Sequence, residues 1–115
     1  MIRLKPHKES SSRAQGTSFT GTLKATYAEL TELFGESLET DGYKTDAEWH
    51  VSITVNGEDA GFATIYNYKD GKNYLGANGL NVEDIDEWHV GSKTKWDLWN
   101  LEEGIIAERE TKLVN

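Results

Sequence analysis

Trp49-His50-Val51-Ser52-Ile53-Thr54-Val55, then Asn56-Gly57, then Gly61-Phe62-Ala63-Thr64-Ile65-Tyr66-Asn67-Tyr68 is the stretch that decides the fold. Both runs alternate with a period of two and are rich in β-branched and aromatic residues, so each reads as a strand and the pair as an antiparallel hairpin. Residues 56–61 predict a connection longer than a tight two-residue turn. In the second run Phe62, Thr64, Tyr66 and Tyr68 share one face, while Ala63 and Ile65 share the other. One face is expected to pack on helices. The other exposes aromatic area, and exposed apolar patches mark binding surfaces.

Toward the N-terminus, residues 36–46 are polar, contain Asp41-Gly42 and read as a connection. Before them Tyr27, Leu30, Leu33 and Phe34 fall at helical spacing, with Thr26 and Glu29 placed as a capping box and Gly35 as a stop. Thr17–Ala25 reads as a strand with Phe19, Gly21 and Leu23 pointing one way. The first 15 residues hold Pro6, the run Ser10-Ser11-Ser12 and no sustained apolar period, so a flexible basic arm is expected ahead of one domain spanning 16–113.

Toward the C-terminus, Asp70-Gly71 closes the hairpin and residues 71–85, with Gly71, Gly76 and Gly79, predict a long loop. Glu87-Trp88-His89-Val90-Gly91 reads as a further strand. Ser92 or Thr94 then caps a helix reaching about Arg109, with Leu98, Trp99, Leu101, Ile105 and Ile106 on a broad apolar arc that also contains Glu102. The order β-α-β-β-β-α predicts an α+β domain: an antiparallel four-stranded sheet with two helices on one face.

Bulk properties narrow the chemistry. The 115 residues allow one domain, and with no Cys there is no disulfide framework, thiolate zinc site or thiol nucleophile. No stretch approaches the roughly 20 apolar residues that span a bilayer, so a soluble, non-exported protein is expected. Residues 1–26 carry five basic residues (Arg3, Lys5, Lys8, Arg13, Lys24) against Glu9, a net of +4; the remainder carries 7 basic and 19 acidic residues, a net of −12, which together give −8. Such a body repels phosphate backbones and anionic lipid, so direct nucleic-acid or membrane binding is disfavoured and a neutral or basic protein partner is expected.

Enzymatic templates are missing: there is no G-x-S-x-G, no G-x-x-x-x-G-K-[ST], no G-x-G-x-x-G after a strand and no H-E-x-x-H. The reading is therefore of a non-enzyme without cofactor or metal. One alternative stays open, because Glu48-Trp49-His50-Val51 recurs as Glu87-Trp88-His89-Val90. Were those strands neighbours, His50, His89, Glu48 and Glu87 would form a plausible zinc ligand set; otherwise Trp49 and Trp88 face the core and the histidines face water. The candidate binding residues are the aromatics Tyr66, Tyr68, Trp88 and Trp96 and the acids Glu83, Asp84, Asp86, Glu87, Glu102 and Glu103.

The words Gly16-Thr17, Ala25-Thr26-Tyr27-Ala28-Glu29-Leu30 with Phe34-Gly35, Glu48-Trp49, Ala63-Thr64-Ile65-Tyr66-Asn67-Tyr68-Lys69 and Glu87-Trp88-His89-Val90-Gly91 resemble, across nearly the whole domain, a family of small acidic proteins encoded by bacteriophages and prophages. Relatives commonly end the last word with two glycines, where this chain has Gly91-Ser92. The resemblance implies a viral setting, the cytoplasm of an infected bacterium, and no active residues. By analogy with compact acidic counter-defence and anti-CRISPR proteins, it suggests an inhibitor that binds a host protein, presenting carboxylates as a nucleic-acid mimic. The alternatives are a sponge for a small nucleotide signal, stacking a base on Tyr66, Tyr68, Trp88 or Trp96 beside Lys69, Lys72, Lys93 and Lys95, and a metal-dependent enzyme. A homodimer formed by pairing exposed aromatic sheet faces is also expected.

Overall fold

The computed structural model describes residues 1–114. Its strands are β1 (Ile2–Pro6), β2 (Ser18–Lys24), β3 (Glu48–Val55), β4 (Glu58–Tyr66) and β5 (Glu87–Ser92), and its helices are α1 (Tyr27–Phe34), α2 (Lys72–Leu75) and α3 (Lys95–Val114). The strands form one antiparallel sheet in the order β1-β3-β4-β5-β2. The domain is α+β, as the sequence predicts, with five strands rather than four and a third, four-residue helix.

Period-two alternation decides which face is the core. Trp49, Val51 and Ile53 from β3, Ala63 and Ile65 from β4, and Trp88 and Val90 from β5 all point to one side, where they meet Leu30 and Phe34 of α1 and Leu101 and Ile105 of α3. The two indoles form a T-shaped pair at 5.4 Å, and each has a backbone acceptor: Trp49 Nε1 donates to the Gly35 carbonyl and Trp88 Nε1 to the Ala25 carbonyl, both at 2.9 Å. Thr26 Oγ1 accepts from the Glu29 amide and starts α1, and Thr94 Oγ1 accepts from the Asp97 amide at the head of α3. The Arg109 guanidinium reaches both oxygens of Glu29, joining α3 to α1 and holding the Glu29 carboxyl below its ordinary pKa.

The N-terminal segment is not a free arm. Ile2, Leu4 and Pro6 alternate with Arg3 and Lys5, and the strand pairs antiparallel with β3, Leu4 standing opposite Ile53. Leu4 then explains a glycine inside α3: a Cβ on Gly104 would lie 2.8 Å from Leu4 Cγ and Cδ2, so only glycine lets β1 and α3 come this close. Because β1 and β2 are opposite edges, residues 7–17 must cross the whole sheet, and they do so on the face away from the helices. The Ser11 amide donates to His50 Nδ1 at 3.0 Å, a His7 Nε2–Ser52 Oγ hydrogen bond spans 2.6 Å, and the Arg13 guanidinium sits 5.3 Å from the Phe62 ring centroid.

Three local expectations change. Asn56 (φ 52°) and Gly57 (φ 86°) make a two-residue turn with Val55 opposite Glu58, and the extra residue is absorbed instead by a bulge where Ile53 pairs with Gly61 and Thr54 with Asp59. A second bulge, at Thr20, separates Phe19 from Gly21, so Gly21 and Leu23 face the core while Phe19 is turned to the open face. Finally, α3 runs to Val114, and its buried stripe is Leu98, Leu101 and Ile105; Trp99 and Ile106 are exposed rather than part of the apolar arc.

Candidate functional site

The open sheet face divides in two. Its β1–β3 half lies beneath the crossing segment: His50, only 3% exposed, accepts the Ser11 amide on Nδ1 and pairs through Nε2 with Glu48 Oε2 at 2.6 Å, and Phe62 is flanked by the His7 and His50 rings and by Arg13. Burial, then the neighbouring His50, Arg13 and Lys5 charges, lowers the His7 pKa below 6.5. The crossing segment also covers Phe62 and Thr64 of β4, and the uncovered part is the end of β4 with the neighbouring stretches of β5 and β2. There Phe19 of β2, His89 of β5, Tyr66 of β4 and Tyr68 just beyond it line an open trough of about 400 Å³.

These rings touch in sequence. Phe19 and His89 lie 4.9 Å apart, His89 and Tyr66 5.7 Å, and His89 stacks on Tyr68 at 5.8 Å. Lys69 Nζ stands 5.1 Å from the Tyr68 centroid and 5.5 Å from that of Tyr74, and Tyr74 meets Tyr43 at 5.2 Å. The result is a continuous aromatic band from the β2 edge to the loop after β4, in which Phe19 is 56% and Tyr43 55% exposed. Lys69 reaches into the band because its backbone turns through φ 61°.

A second cleft of about 280 Å³ adjoins the trough and shares Tyr66 and Tyr68 with it; Thr64 and Gly91 line its interior, and Glu48, Lys44 and Asp41 border it. A Cβ at Gly91 would come within 2.7 Å of Thr64 Oγ1, so glycine keeps this surface low. Burial, Glu48 and Tyr68, in that order, raise the Tyr66 phenol above its ordinary pKa of 10.0. The Asp41 carboxylate accepts the amides of Tyr43, Lys44 and Thr45, which fixes the loop beside the cleft and lowers the Asp41 pKa.

The sequence candidates scatter over this framework. Tyr66 and Tyr68 lie in the trough, whereas Glu87, opposite Lys24 at the start of β5, lines the separate groove that holds Asp86, Glu29 and Arg109. Trp88 lies in neither: it is fully buried between Tyr27 and Trp49, so it is a core residue and no ligand-stacking surface. Trp96 is 66% exposed and stacks on Trp99 at 5.2 Å, on a separate surface of α3. Glu83 and Asp84 occupy a single 3₁₀ turn packed near α1, and Asp86 lies with Lys24, Glu29 and Arg109 in a groove between β2 and the helices. Glu102 lines another groove on α3, and Glu103 is exposed on that helix. These acids form no single patch. Phe19, Tyr43 and Tyr74 are not among the sequence candidates, and His89 is one only as a metal ligand: the Thr20 bulge hides Phe19 from a period-two reading, and the tyrosines come from separate loops.

The proposed zinc set also comes apart. His50 pairs with Thr64 and His89 with Tyr66, so β4 lies between the two histidine strands, and His50 is spoken for by Glu48 and Ser11. Among the described residues no group of three or more His, Asp or Glu side chains could hold a metal ion, and no helix is long and apolar enough to cross a membrane. Compared with protein-family models, with curated proteins and with solved structures, the chain matches none.

Proposed function

We propose that this chain is a non-enzymatic phage-type accessory protein that binds and inhibits a host protein with a basic surface, in the cytoplasm of the infected bacterium, and that it does so with the uncovered aromatic face of its sheet. The observation that carries this reading is the continuous exposed band from Phe19 through His89, Tyr66, Tyr68 and Lys69 to Tyr74 and Tyr43. Tyrosine-rich, semi-rigid surfaces supply contact area at low entropic cost and dominate binding energy at protein interfaces. The net charge of −8 favours encounter with a basic partner and works against direct nucleic-acid binding. Capture from host extract tests it: the intact chain and Trp96→Ala recover the same partner, whereas Phe19→Ser/Tyr68→Ala loses it. Equal recovery by all three contradicts the proposal.

The nucleotide-sponge reading draws on the same rings, with Lys69 and Lys44 as cations, but the adjoining cleft also carries Glu48 and Asp41, which repel phosphate. Self-association through the same face is the competing use of the surface. It predicts a dimer by light scattering that persists as salt screens two acidic bodies, and that Phe19→Ser/Tyr68→Ala converts to monomer.

A further inference from the structure

We propose that the trough formed by Phe19, Tyr66, Tyr68 and His89 receives the guanidinium of an arginine side chain presented by the partner. The inference rests on the protein-binding reading above and specifies what that face recognises. A guanidinium is planar, weakly hydrated and carries five N–H donors with no acceptor, so it stacks on aromatic faces and needs acceptors at its edge. The trough has that composition: four rings, with the Tyr66 and Tyr68 hydroxyls as neutral acceptors.

Glu48 supplies the charged acceptor. It stands opposite Tyr66 in the β3–β4 ladder and lines the cleft that Tyr66 and Tyr68 share with the trough. Only its Oε2 is committed to His50, which leaves Oε1 able to accept from a newcomer. Glu87 belongs to the separate groove with Lys24 and Arg109; of the nearby cations, Lys44 borders the cleft, and Lys69 Nζ stands between Tyr68 and Tyr74, 5.1 Å from the Tyr68 centroid. A phosphate in the cleft would confront Glu48 and Asp41; a guanidinium there meets both favourably.

The same sheet face already performs this recognition inside the molecule. In its covered half Arg13 lies 5.3 Å from the Phe62 centroid, with its Nη2 3.1 Å from the Asp59 carboxylate and its Nη1 3.5 Å from Ser52 Oγ. Ring plus carboxylate, from neighbouring positions on the sheet, holds a guanidinium. The uncovered half repeats the arrangement with Tyr66, Tyr68 and Glu48 and has no arginine of its own among the residues lining it.

Titration of the isotope-labelled full chain with N-acetyl-arginine methylamide, followed by amide chemical shifts, tests the assignment. Saturable shifts centred on residues 19, 66–68 and 89 are expected, at least about tenfold weaker for the isosteric, uncharged citrulline analogue. Glu48→Gln, which keeps an acceptor for His50, should weaken the arginine analogue alone. Equal response to arginine and citrulline, shifts confined to other surfaces, or tighter binding of adenosine monophosphate would overturn the inference; the comparison of ligands uses the unaltered chain, so no variant has to fold. If partner capture still depends on Phe19 and Tyr68 while arginine and citrulline are indistinguishable, only this inference falls. If capture is indifferent to those residues, the protein-binding reading falls with it.

Discussion

Replacing Gly104 by Ala should destabilise the protein, against the intrinsic preference of a helix. In an unconstrained helix interior the change would stabilise by about 0.5–1 kcal/mol. Here the new Cβ would fall 2.8 Å from Leu4 Cγ and Cδ2 and 2.9 Å from Cδ1, closer than carbon atoms pack. Relieving that contact means moving β1 or α3, and overpacking of this kind costs about 1–3 kcal/mol, so the net effect is a loss of about 1 kcal/mol. Leu4→Ala alone should cost about 1–2 kcal/mol, below the range for fully buried leucine because Leu4 is half-buried. Combined, the two changes should be better tolerated than either cost implies: with Leu4 shortened, Gly104→Ala recovers its helix gain, giving a coupling of about 2 kcal/mol in the cycle. Urea denaturation followed by far-UV circular dichroism measures all four states. A Gly104→Ala variant more stable than the parent by the full helix increment would refute the reasoning, because Leu4, and with it β1, could not then lie against α3.

Two further outcomes follow from the buried groups. The His7 pKa is lowered below 6.5, chiefly by burial, so the unfolded chain takes up the proton first; the stability this group contributes is complete above about pH 6.5 and is lost as pH falls through the folded value. Urea midpoints measured at about pH 7.5 and about pH 5.5 should therefore differ less in His7→Gln than in the parent, and an unchanged difference would show that His7 is not packed against Ser52 and Phe62 of the sheet. Trp88→Ala should cost about 3–5 kcal/mol in thermal or urea unfolding, through loss of a fully buried indole and its bond to the Ala25 carbonyl; a near-neutral change would return Trp88 to the surface.

What the sequence revealed depends on where a pattern was local. Thr26, Glu29 and Gly35 mark α1 because capping acts within one turn, and the alternation from Trp49 to Val55 and from Phe62 to Tyr66 sorts the residues that share a face, while packing against the helices decides which face is the core. The alternation Ile2-Arg3-Leu4-Lys5-Pro6 was equally present, but five residues next to a serine run carry little weight until β3 and Gly104 supply their partners. The bulge at Thr20 inverts Phe19, and one slipped residue in a period of two changes its face altogether. Tyr66 and Tyr68 were legible as half of the candidate site, since they share a strand face. Phe19, His89, Tyr74 and Tyr43 join them only through the strand order β4-β5-β2 and the loops around it, which no local signal encodes.

The central claim, that this protein acts by presenting the uncovered aromatic face of its sheet, is most directly tested by hydroxyl-radical footprinting of the chain free and in complex with the host partner it captures. Protection of Phe19, Tyr43, Tyr68 and Tyr74, all exposed in the free chain, with Trp96 and Trp99 on α3 as reactive as before, is the result predicted. Protection confined to Trp96 and Trp99, with the aromatic band unchanged, would contradict it.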